Sequence, residues 1–182
     1  MKILSIAVPC YNSQDYMEHC VETLLTGGEK VEIIIVDDGS KDGTAEIADR
    51  LAEKYPTIIK AVHQENGGHG EAVNTGIKNA TGVFFKVVDS DDWLGEEALA
   101  TLLEKLEMFS NSGEDAVNVP DLVLCNYIYD KVGVKNKKVI NYKGYLPLNR
   151  TFTWKDVRKM PPGKYMTMHA CVYRTEVLRE SQ

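Results

Sequence analysis

The chain has 182 residues, of which 43% are hydrophobic and 26% are charged. These values favour a globular protein of about one to one and a half domains and disfavour disorder, fibrous repeats and membrane spanning. The 27 acidic and 21 basic side chains give a net charge of −6, so we expect no general attraction to nucleic acid or anionic lipid, and an anionic ligand must be bound by local groups.

The cysteines and the N-terminal segment indicate where the protein works. The four cysteines contain no Cys-x-x-Cys pair, so we expect reduced, mostly buried thiols rather than a zinc site or a disulfide framework. The first apolar run is too short for a signal peptide, and no run approaches the ~18 residues of a spanning helix. We therefore expect a cytoplasmic protein, at the inner face of the membrane only through an anchor outside this chain.

Short apolar runs alternate with amphipathic segments through the first two-thirds of the chain, which is typical of βαβ units. Predicted strands cover residues 3–8, 33–36, 58–62 and 83–88, and predicted helices cover 13–25, 44–54 and 70–79. Pro9 is expected to end the first strand, and Ser13 to cap the first helix. The predicted fold class is α/β, an open, mostly parallel, Rossmann-like sheet with helices on both faces and a small antiparallel element toward the C-terminus.

The pattern changes after the fourth strand. A helix is predicted over 96–109, followed by a polar loop over 110–115 and by strands over 122–129 and 132–140 that pair antiparallel through a turn near Gly133. The last residues, TEVLRESQ, are typical of a helix without a stop signal, which suggests a fragment of a longer chain. We predict one domain in two parts, a parallel α/β half over 1–110 and a more irregular region over 111–182.

Two turns at predicted strand ends carry candidate binding residues. Tyr11 presents an aromatic ring in the first turn, where plain packing is the alternative. Asp37 and Asp38 follow the apolar second strand, and one of them can accept a hydrogen bond from the ring N–H of a nucleobase. The alternative is turn formation and helix capping by Ser40 and Asp42.

The turn after the fourth strand is strongly acidic. Asp89, Asp91 and Asp92 fall within four residues, and carboxylates this close repel one another unless a cation lies between them. Oxygen ligands favour Mg²⁺ or Mn²⁺, which commonly complete their coordination with substrate phosphates. A solvated acidic turn is the alternative.

A glycine-rich loop over 66–76 precedes the third helix. Free backbone N–H groups at such a helix start suit a phosphate, although the spacing matches neither a dinucleotide-binding fingerprint nor a P-loop. His69 is either a phosphate donor or a residue of an exposed turn. His19 and His63 are expected to be structural or surface residues.

Five short motifs follow one another along the chain: Pro9-x-Tyr11-Asn12, the Asp-Asp-Gly-Ser of 37–40, Asn66-Gly67-Gly68, Asn74-x-Gly76 and the Asp-Ser-Asp-Asp-Trp of 89–93. Taken together, they resemble the family-2 glycosyltransferases of GT-A fold over about residues 1–110. The resemblance implies that Tyr11 flanks the base, that Asp38 binds its ring nitrogen, that Asp89 lies toward the ribose or metal and that Asp91 binds the cation, with Asp92 a weaker candidate. It also implies a nucleotide-sugar-binding half over 1–110 and a partial acceptor-side region of the same domain over 111–182. The implied nucleotide-sugar-binding residues are Pro9, Tyr11, Asn12, Asp38, Gly39, Ser40, Gly68, His69, Asn74 and Asp89; the implied metal ligands are Asp89, Asp91 and Asp92.

The sequence departs from the family pattern at two points. Val73 stands where many members have an arginine, and Gly68-His69-Gly70 is similar to the Gly-Lys-Gly of polyprenyl-phosphate sugar transferases. The family's general base has no clear counterpart. His169 and Glu176 are the nearest candidates, and we expect the base beyond Gln182, so that this chain binds donor but transfers sugar poorly.

The predicted function is that of a metal-dependent inverting glycosyltransferase, using Mn²⁺ or Mg²⁺. It would move a sugar from a nucleoside-diphosphate sugar, with UDP favoured, to a hydroxyl of a glycan, lipid-linked or other acceptor in polysaccharide synthesis. Nucleic acid is not an expected partner, and membrane association is expected only through parts outside this chain. Two alternatives stay open: a sugar-phosphate nucleotidyltransferase and a catalytically silent nucleotide-binding or interaction module.

Overall fold

The computed structural model describes residues 1–110, 119–130, 137–163 and 165–181. The strands are β1 (Leu4–Cys10), β2 (Val31–Asp38), β3 (Ile59–Gln64), β4 (Phe84–Val87), β5 (Leu122–Leu124), β6 (Tyr127–Tyr129), β7 (Lys138–Ile140) and β8 (Cys171–Arg174). The helices are α1 (Met17–Leu25), α2 (Thr44–Lys54), α3 (His69–Asn79), α4 (Glu96–Ser110) and α5 (Thr175–Glu180), with 3₁₀ turns at Gly28–Lys30, Trp154–Asp156 and Met168–Ala170.

A six-stranded sheet in the order β3-β2-β1-β4-β8-β5 forms the centre of the molecule. β1 pairs parallel with both β2 and β4, and β2 pairs parallel with β3, whereas β8 pairs antiparallel with β4 and β5. β6 and β7 form a separate antiparallel ribbon. The predicted fold class is confirmed, and the strand order changes direction between β1 and β4, which is where open α/β sheets bind ligands.

Helices cover both faces of the sheet because the buried strands are apolar on both sides. In β2, Ile33 and Ile35 pack with α1, α2 and α4 in one core, while Ile34 and Val36 pack with α3 in the other. Gly76 lets α3 lie close to β1, since a Cβ at this position would come within 2.5 Å of the Ala7 Cβ. The loops that follow the parallel strands meet at the C-terminal edge of these strands, which we call the sheet edge.

Two expectations for the first turn were wrong. Pro9 does not end β1, which continues to Cys10. Pro9 pairs with Val36 of β2, whereas the pairing of β1 with β4 ends at Ala7. Pro9 therefore has no strand partner on the β4 side, where its missing N–H is tolerated. Ser13 does not cap α1, which begins at Met17. The Ser13 hydroxyl instead accepts the Tyr11 N–H and contacts the Ser90 hydroxyl.

The C-terminal third agrees with the prediction only in part. The predicted strand over 122–129 is two strands, because β5 joins the main sheet and β6 turns away to pair with β7. The predicted turn at Gly133 and most of the predicted loop over 110–115 lie outside the described residues. β8 was not predicted, whereas α5 confirms the helix expected in the last residues.

The cysteines and the helices bear on two further expectations. Cys10, Cys20 and Cys171 are buried and Cys125 is half-buried, which confirms that the thiols are mostly buried. Among the helices of the described residues, none combines the length and apolar character needed to cross a bilayer.

Candidate functional site

The loops after β1, β2 and β4 converge at the sheet edge and are joined by hydrogen bonds. The Asn12 N–H donates to the Ser40 hydroxyl at 3.0 Å, and the Asn12 side-chain oxygen accepts the Lys41 N–H at 2.9 Å. The hydroxyls of Ser13 and Ser90 lie 2.9 Å apart. The first loop is therefore fastened on one side to the loop after β2 and on the other to the acidic turn after β4.

Asp38 organises the glycine-rich loop. Its carboxylate, only 3% exposed, accepts hydrogen bonds from the Gln64 side chain at 2.7 Å and from the backbone N–H groups of Gly67 and Gly68 at 2.8 Å each. Burial alone would raise the pKa of Asp38, but the three hydrogen bonds outweigh it and lower the pKa below the ordinary value. The N–H groups of Gly67 and Gly68, expected to be free for a phosphate, are thus already bound.

The contact between the loops after β2 and β3 requires glycine at position 39. Gly39 has a φ of +69°, and a Cβ there would lie 2.8 Å from the Asn66 backbone nitrogen. The Asn66 side chain donates to the Asp38 carbonyl at 2.9 Å. Gly39 is therefore needed for the loop after β2 to pack against the loop after β3. The place in the nucleotide site that the resemblance implies for Gly39 stays a prediction.

The remaining acidic residues of the second loop also have structural partners. Asp42 accepts the N–H and the hydroxyl of Thr44 at 3.0 and 2.6 Å, so it forms the turn into α2. His63 bridges Asp37 and Asp49 at 3.1 and 3.0 Å. The carboxylates of Asp49 and Asp37 raise the pKa of His63.

Asp89, Asp92 and His169 form the acidic cluster at the sheet edge. The Asp92 N–H donates to the Asp89 carbonyl at 2.9 Å, and this turn brings the two carboxylates together. His169 Nε2 lies 3.5 Å from an Asp89 oxygen and 3.4 Å from an Asp92 oxygen. One ligand atom from each of the three residues lies within 4.8 Å of the others, which is close enough to ligate one ion.

The structure places Asp91 differently from the expectation. It is exposed and does not belong to the cluster that the described residues form, because the turn from Asp89 to Asp92 brings its first and last residues together and leaves Asp91 in the middle. Burial raises the pKa of Asp92, and the nearby Asp91 and Asp89 carboxylates add to the rise against the opposing effect of His169.

Two further basic residues support the cluster. His69 Nε2 lies 2.8 Å from the other oxygen of Asp89, so the first residue of α3 contacts the acidic turn. Lys86, only 3% exposed, donates from Nζ to the His169 carbonyl at 2.7 Å. Burial lowers the pKa of Lys86. The lysine fixes the backbone of the turn that carries His169.

Two other predicted site residues, Tyr11 and Asn74, are not members of the acidic cluster that the described residues form. Tyr11 is 48% exposed beside the first loop, and Asn74 bonds Glu71 on α3. In the described residues, the N–H groups of His69 and Gly70 have no backbone acceptor, so they are the free donors at the start of α3. Glu176 lines a cleft with Gly82, at the beginning of β4 and thus at the opposite end of the sheet, so it is no candidate base.

The roles of His169 and Lys86 could not be predicted from the sequence. His169 is a candidate base by sequence alone, and Lys86 lies inside a predicted apolar strand. No local pattern could join His169 to an acidic turn about 80 residues earlier. The one available signal was a lysine in a strand that is otherwise apolar, since a buried lysine requires a partner.

Comparison with known proteins identifies the family. A model of "Glycosyl transferase family 2" matches residues 5–181, so the chain belongs to glycosyl transferase family 2, with the GT-A fold expected from the sequence. Among curated relatives, the putative glycosyltransferase EpsH of Bacillus subtilis is 38% identical over 125 residues, covering 68% of this chain and 33% of EpsH.

Solved structures agree with this assignment. S. aureus TarS 1–349 in complex with UDP-GlcNAc is 25% identical with a TM-score of 0.66, covering 100% of this chain and 47% of that one. The mannosyltransferase PcManGT from Pyrobaculum calidifontis, in complex with GDP-Man and Mn²⁺, is 26% identical with a TM-score of 0.54, covering 67% and 34%. The chain spans about a third or less of EpsH and of the pneumococcal GlyA.

Proposed function

We propose that this chain forms the donor-binding part of a metal-dependent, inverting glycosyltransferase that uses a nucleoside-diphosphate sugar, with UDP as the nucleotide. The observation that supports this most is the cluster of Asp89, Asp92 and His169 at the point where the strand order reverses. Family membership and the UDP-GlcNAc complex of TarS support the donor class. They also favour glycosyl transfer over nucleotidyl transfer.

The ligand atoms of the cluster suit a divalent cation. Two carboxylate oxygens and one imidazole nitrogen suit Mn²⁺ better than Mg²⁺, which prefers oxygen alone. The distances of 3.4 and 3.5 Å from His169 Nε2 to the carboxylates are long for hydrogen bonds, as expected of groups arranged around a shared ligand. When bound, such an ion supplies positive charge that offsets the negative charge growing on the leaving diphosphate.

The residues around the cluster would hold the donor in place. The free N–H groups of His69 and Gly70 at the start of α3 suit the diphosphate, and α3 adds its positive N-terminal dipole there. Tyr11 offers an exposed ring for the base. Asp38 would contribute by ordering the glycine-rich loop through its bonds to Gly67 and Gly68.

The acceptor hydroxyl would displace the diphosphate at the anomeric carbon in one step, while a base removes its proton. No described residue is assigned as that base. Residues 1–110 would supply most of the donor site, and residues 111–182 would add His169 to it as well as part of the acceptor side. The two regions share one sheet, since β8 pairs with β4. Glycan or cell-surface polysaccharide synthesis is the proposed setting, in line with names such as the poly(ribitol-phosphate) β-glucosyltransferase of Bacillus spizizenii, which is 41% identical over 103 residues.

Calorimetry of UDP binding with and without Mn²⁺ tests the proposal. Asp92→Asn should abolish the Mn²⁺-dependent part of UDP binding, because it removes one anionic ligand from the cluster. Asp91→Asn is the matched control, since it makes the same change one residue away and should retain most of the binding. If both variants lose the Mn²⁺-dependent part of UDP binding equally, the cluster is not the metal site. The same conclusion follows if UDP binding to the unmodified protein does not depend on Mn²⁺.

A second assay separates the alternatives. Incubation with a panel of nucleotide sugars should release nucleoside diphosphate by transfer of the sugar to water, slowly if the base is outside this chain. Release of pyrophosphate from a nucleoside triphosphate and a sugar phosphate would instead identify a nucleotidyltransferase. Absence of any metal-linked nucleotide binding would identify the silent module.

A further inference from the structure

The net charge of −6 conceals a strongly basic segment at residues 128–165. It contains ten lysines and arginines (Lys131, Lys135, Lys137, Lys138, Lys143, Arg150, Lys155, Arg158, Lys159 and Lys164) and two acids (Asp130 and Asp156), a net charge of +8. The rest of the chain therefore carries −14. We expected no attraction to anionic lipid from the total charge, but electrostatic attraction acts over about a Debye length and depends on the local charge.

The basic side chains that the structure describes in this segment are at the surface. Lys137, Lys138, Lys143, Arg150, Lys155, Arg158 and Lys159 are all exposed. Lys137 pairs with Asp130, while the described residues offer no carboxylate within ion-pair distance of the other six. Their charges are thus available to an anionic partner.

The same segment exposes large apolar side chains. More than half of the large hydrophobic residues exposed in the described part of the chain belong to it, namely Ile128, Tyr129, Val139, Leu148, Trp154 and Tyr165. Ile128 and Val139 lie opposite each other in the β6–β7 ribbon and are 55% and 56% exposed. Cross-strand partners share one face of a ribbon, so this face carries an unpartnered aliphatic pair.

The other face of the ribbon points toward the candidate site. Tyr127 pairs with Ile140 across the strands, and its ring centroid lies 5.7 Å from that of His169. Tyr142 and Leu146, from the chain after β7, pack with Ala170 in a small core that also holds Tyr127. The basic segment is therefore attached to the turn that bears His169.

We propose that the described part of this segment, residues 128–130, 137–163 and 165, forms a docking surface for an anionic lipid bilayer. Lysines and arginines are attracted to anionic headgroups, and exposed aliphatic and tryptophan side chains enter the interfacial layer. A hydrated polyanion would be attracted by the same charges, but it gains nothing from Ile128, Val139 and Leu148. Because the ribbon touches His169, docking would place the candidate site next to the membrane surface, within reach of a lipid-linked acceptor.

Vesicle sedimentation tests the docking surface without metal or nucleotide, so its outcome is independent of the proposed function. The protein should bind vesicles of phosphatidylcholine with phosphatidylglycerol, bind pure phosphatidylcholine vesicles far less, and lose most binding between about 0.05 M and about 0.5 M NaCl. Equal binding to the two kinds of vesicle, or no binding to either, would overturn the proposal.

Matched charge variants locate the surface. Replacing Lys138, Lys155, Arg158 and Lys159 by glutamine should weaken binding several hundredfold, since each charge near the surface contributes about fivefold. Replacing Lys54, Lys60, Lys78 and Lys105 by glutamine removes the same charge elsewhere and should change binding little. Circular dichroism checks that both variants are folded, and equal weakening in the two would overturn the assignment to this segment.

Replacing the aliphatic pair Ile128 and Val139 distinguishes binding to a bilayer from binding to a soluble polyanion. The double variant Ile128→Ser, Val139→Ser should weaken vesicle binding about tenfold or more, because the apolar contribution is lost. Its binding to inorganic polyphosphate should match that of the unmodified protein. If the double variant binds vesicles as tightly as the unmodified protein, the segment is a polyanion surface and the membrane proposal is wrong.

Discussion

Replacing Asp38 tests whether a single carboxylate orders the glycine-rich loop. Asp38→Ala leaves three donors without an acceptor: the Gln64 side chain and the N–H groups of Gly67 and Gly68. Hydrogen bonds to a charged acceptor contribute about 1.5–3 kcal/mol each, but Gly67 and Gly68 are exposed and water can replace part of the loss. We expect a destabilisation of about 2–4 kcal/mol.

Asp38→Asn is the sharper variant, because it keeps the shape of the side chain. Asparagine retains one acceptor oxygen, but its NH₂ group would face one of the three donors, so we expect a cost of about 1–2 kcal/mol. Urea unfolding measures the free energy of unfolding of each variant. Asp15→Asn is the control, since Asp15 is exposed and should contribute within about 0.5 kcal/mol.

The pH dependence gives a second test of the same carboxylate. The folded-state pKa of Asp38 is lowered, so its contribution is fully present above the unfolded value of about 4 and is lost as the pH falls through the folded pKa. The stability difference between the unmodified protein and Asp38→Asn should therefore shrink in acid. A difference that grows as the pH falls, or one no larger than that of Asp15→Asn at neutral pH, would refute the role.

Three further changes test the packing, the histidine bridge and the metal cluster. Gly82→Ala should destabilise the fold by about 1–3 kcal/mol in urea unfolding, because its Cβ would lie 2.7 Å from the Ser5 backbone nitrogen, whereas Gly95→Ala, with its nearest neighbour at 4.0 Å, should change little. Asp49 and Asp37 raise the pKa of His63, so the contribution of His63 to stability is fully present below about pH 6.5 and is lost as the pH rises through the folded pKa. The stability cost of His63→Gln should thus be larger at about pH 6 than at about pH 9. A pH-independent cost would contradict the bridge. His169→Ala should weaken Mn²⁺ binding about tenfold or more in a paramagnetic resonance titration, while His19→Ala, which removes a histidine packed against Trp93, should not; equal affinities would remove His169 from the cluster.

The parallel half of the sheet could be predicted because its signals are local. Each strand from β1 to β4 is a short apolar run followed by an amphipathic helix, and right-handed crossovers then place all four C-terminal ends together. The acidic turn after β4 and the loops at Asp38 and Asn12 were found on this basis. Their hydrogen-bond partners could not be predicted, since Asp38 meets Gly67 and Gly68 across about 30 residues.

The C-terminal third could not be predicted in the same way, because its pairings are distant and antiparallel. β8 inserts between β4 and β5, about 85 residues after the strand beside which it lies. That insertion brings His169 to Asp89 and Asp92, and it gives Lys86 a carbonyl to bond. The choice of Asp92 over Asp91 depends on one turn hydrogen bond, which the sequence Asp-Ser-Asp-Asp does not determine.

Anomalous diffraction from crystals grown with Mn²⁺ and UDP tests the central claim most directly. We predict one manganese peak between Asp89, Asp92 and His169, with the UDP diphosphate on the same ion and the side chain of Asp91 turned away. A manganese peak elsewhere, or UDP bound at the sheet edge with those three side chains bearing no ion, would contradict the account.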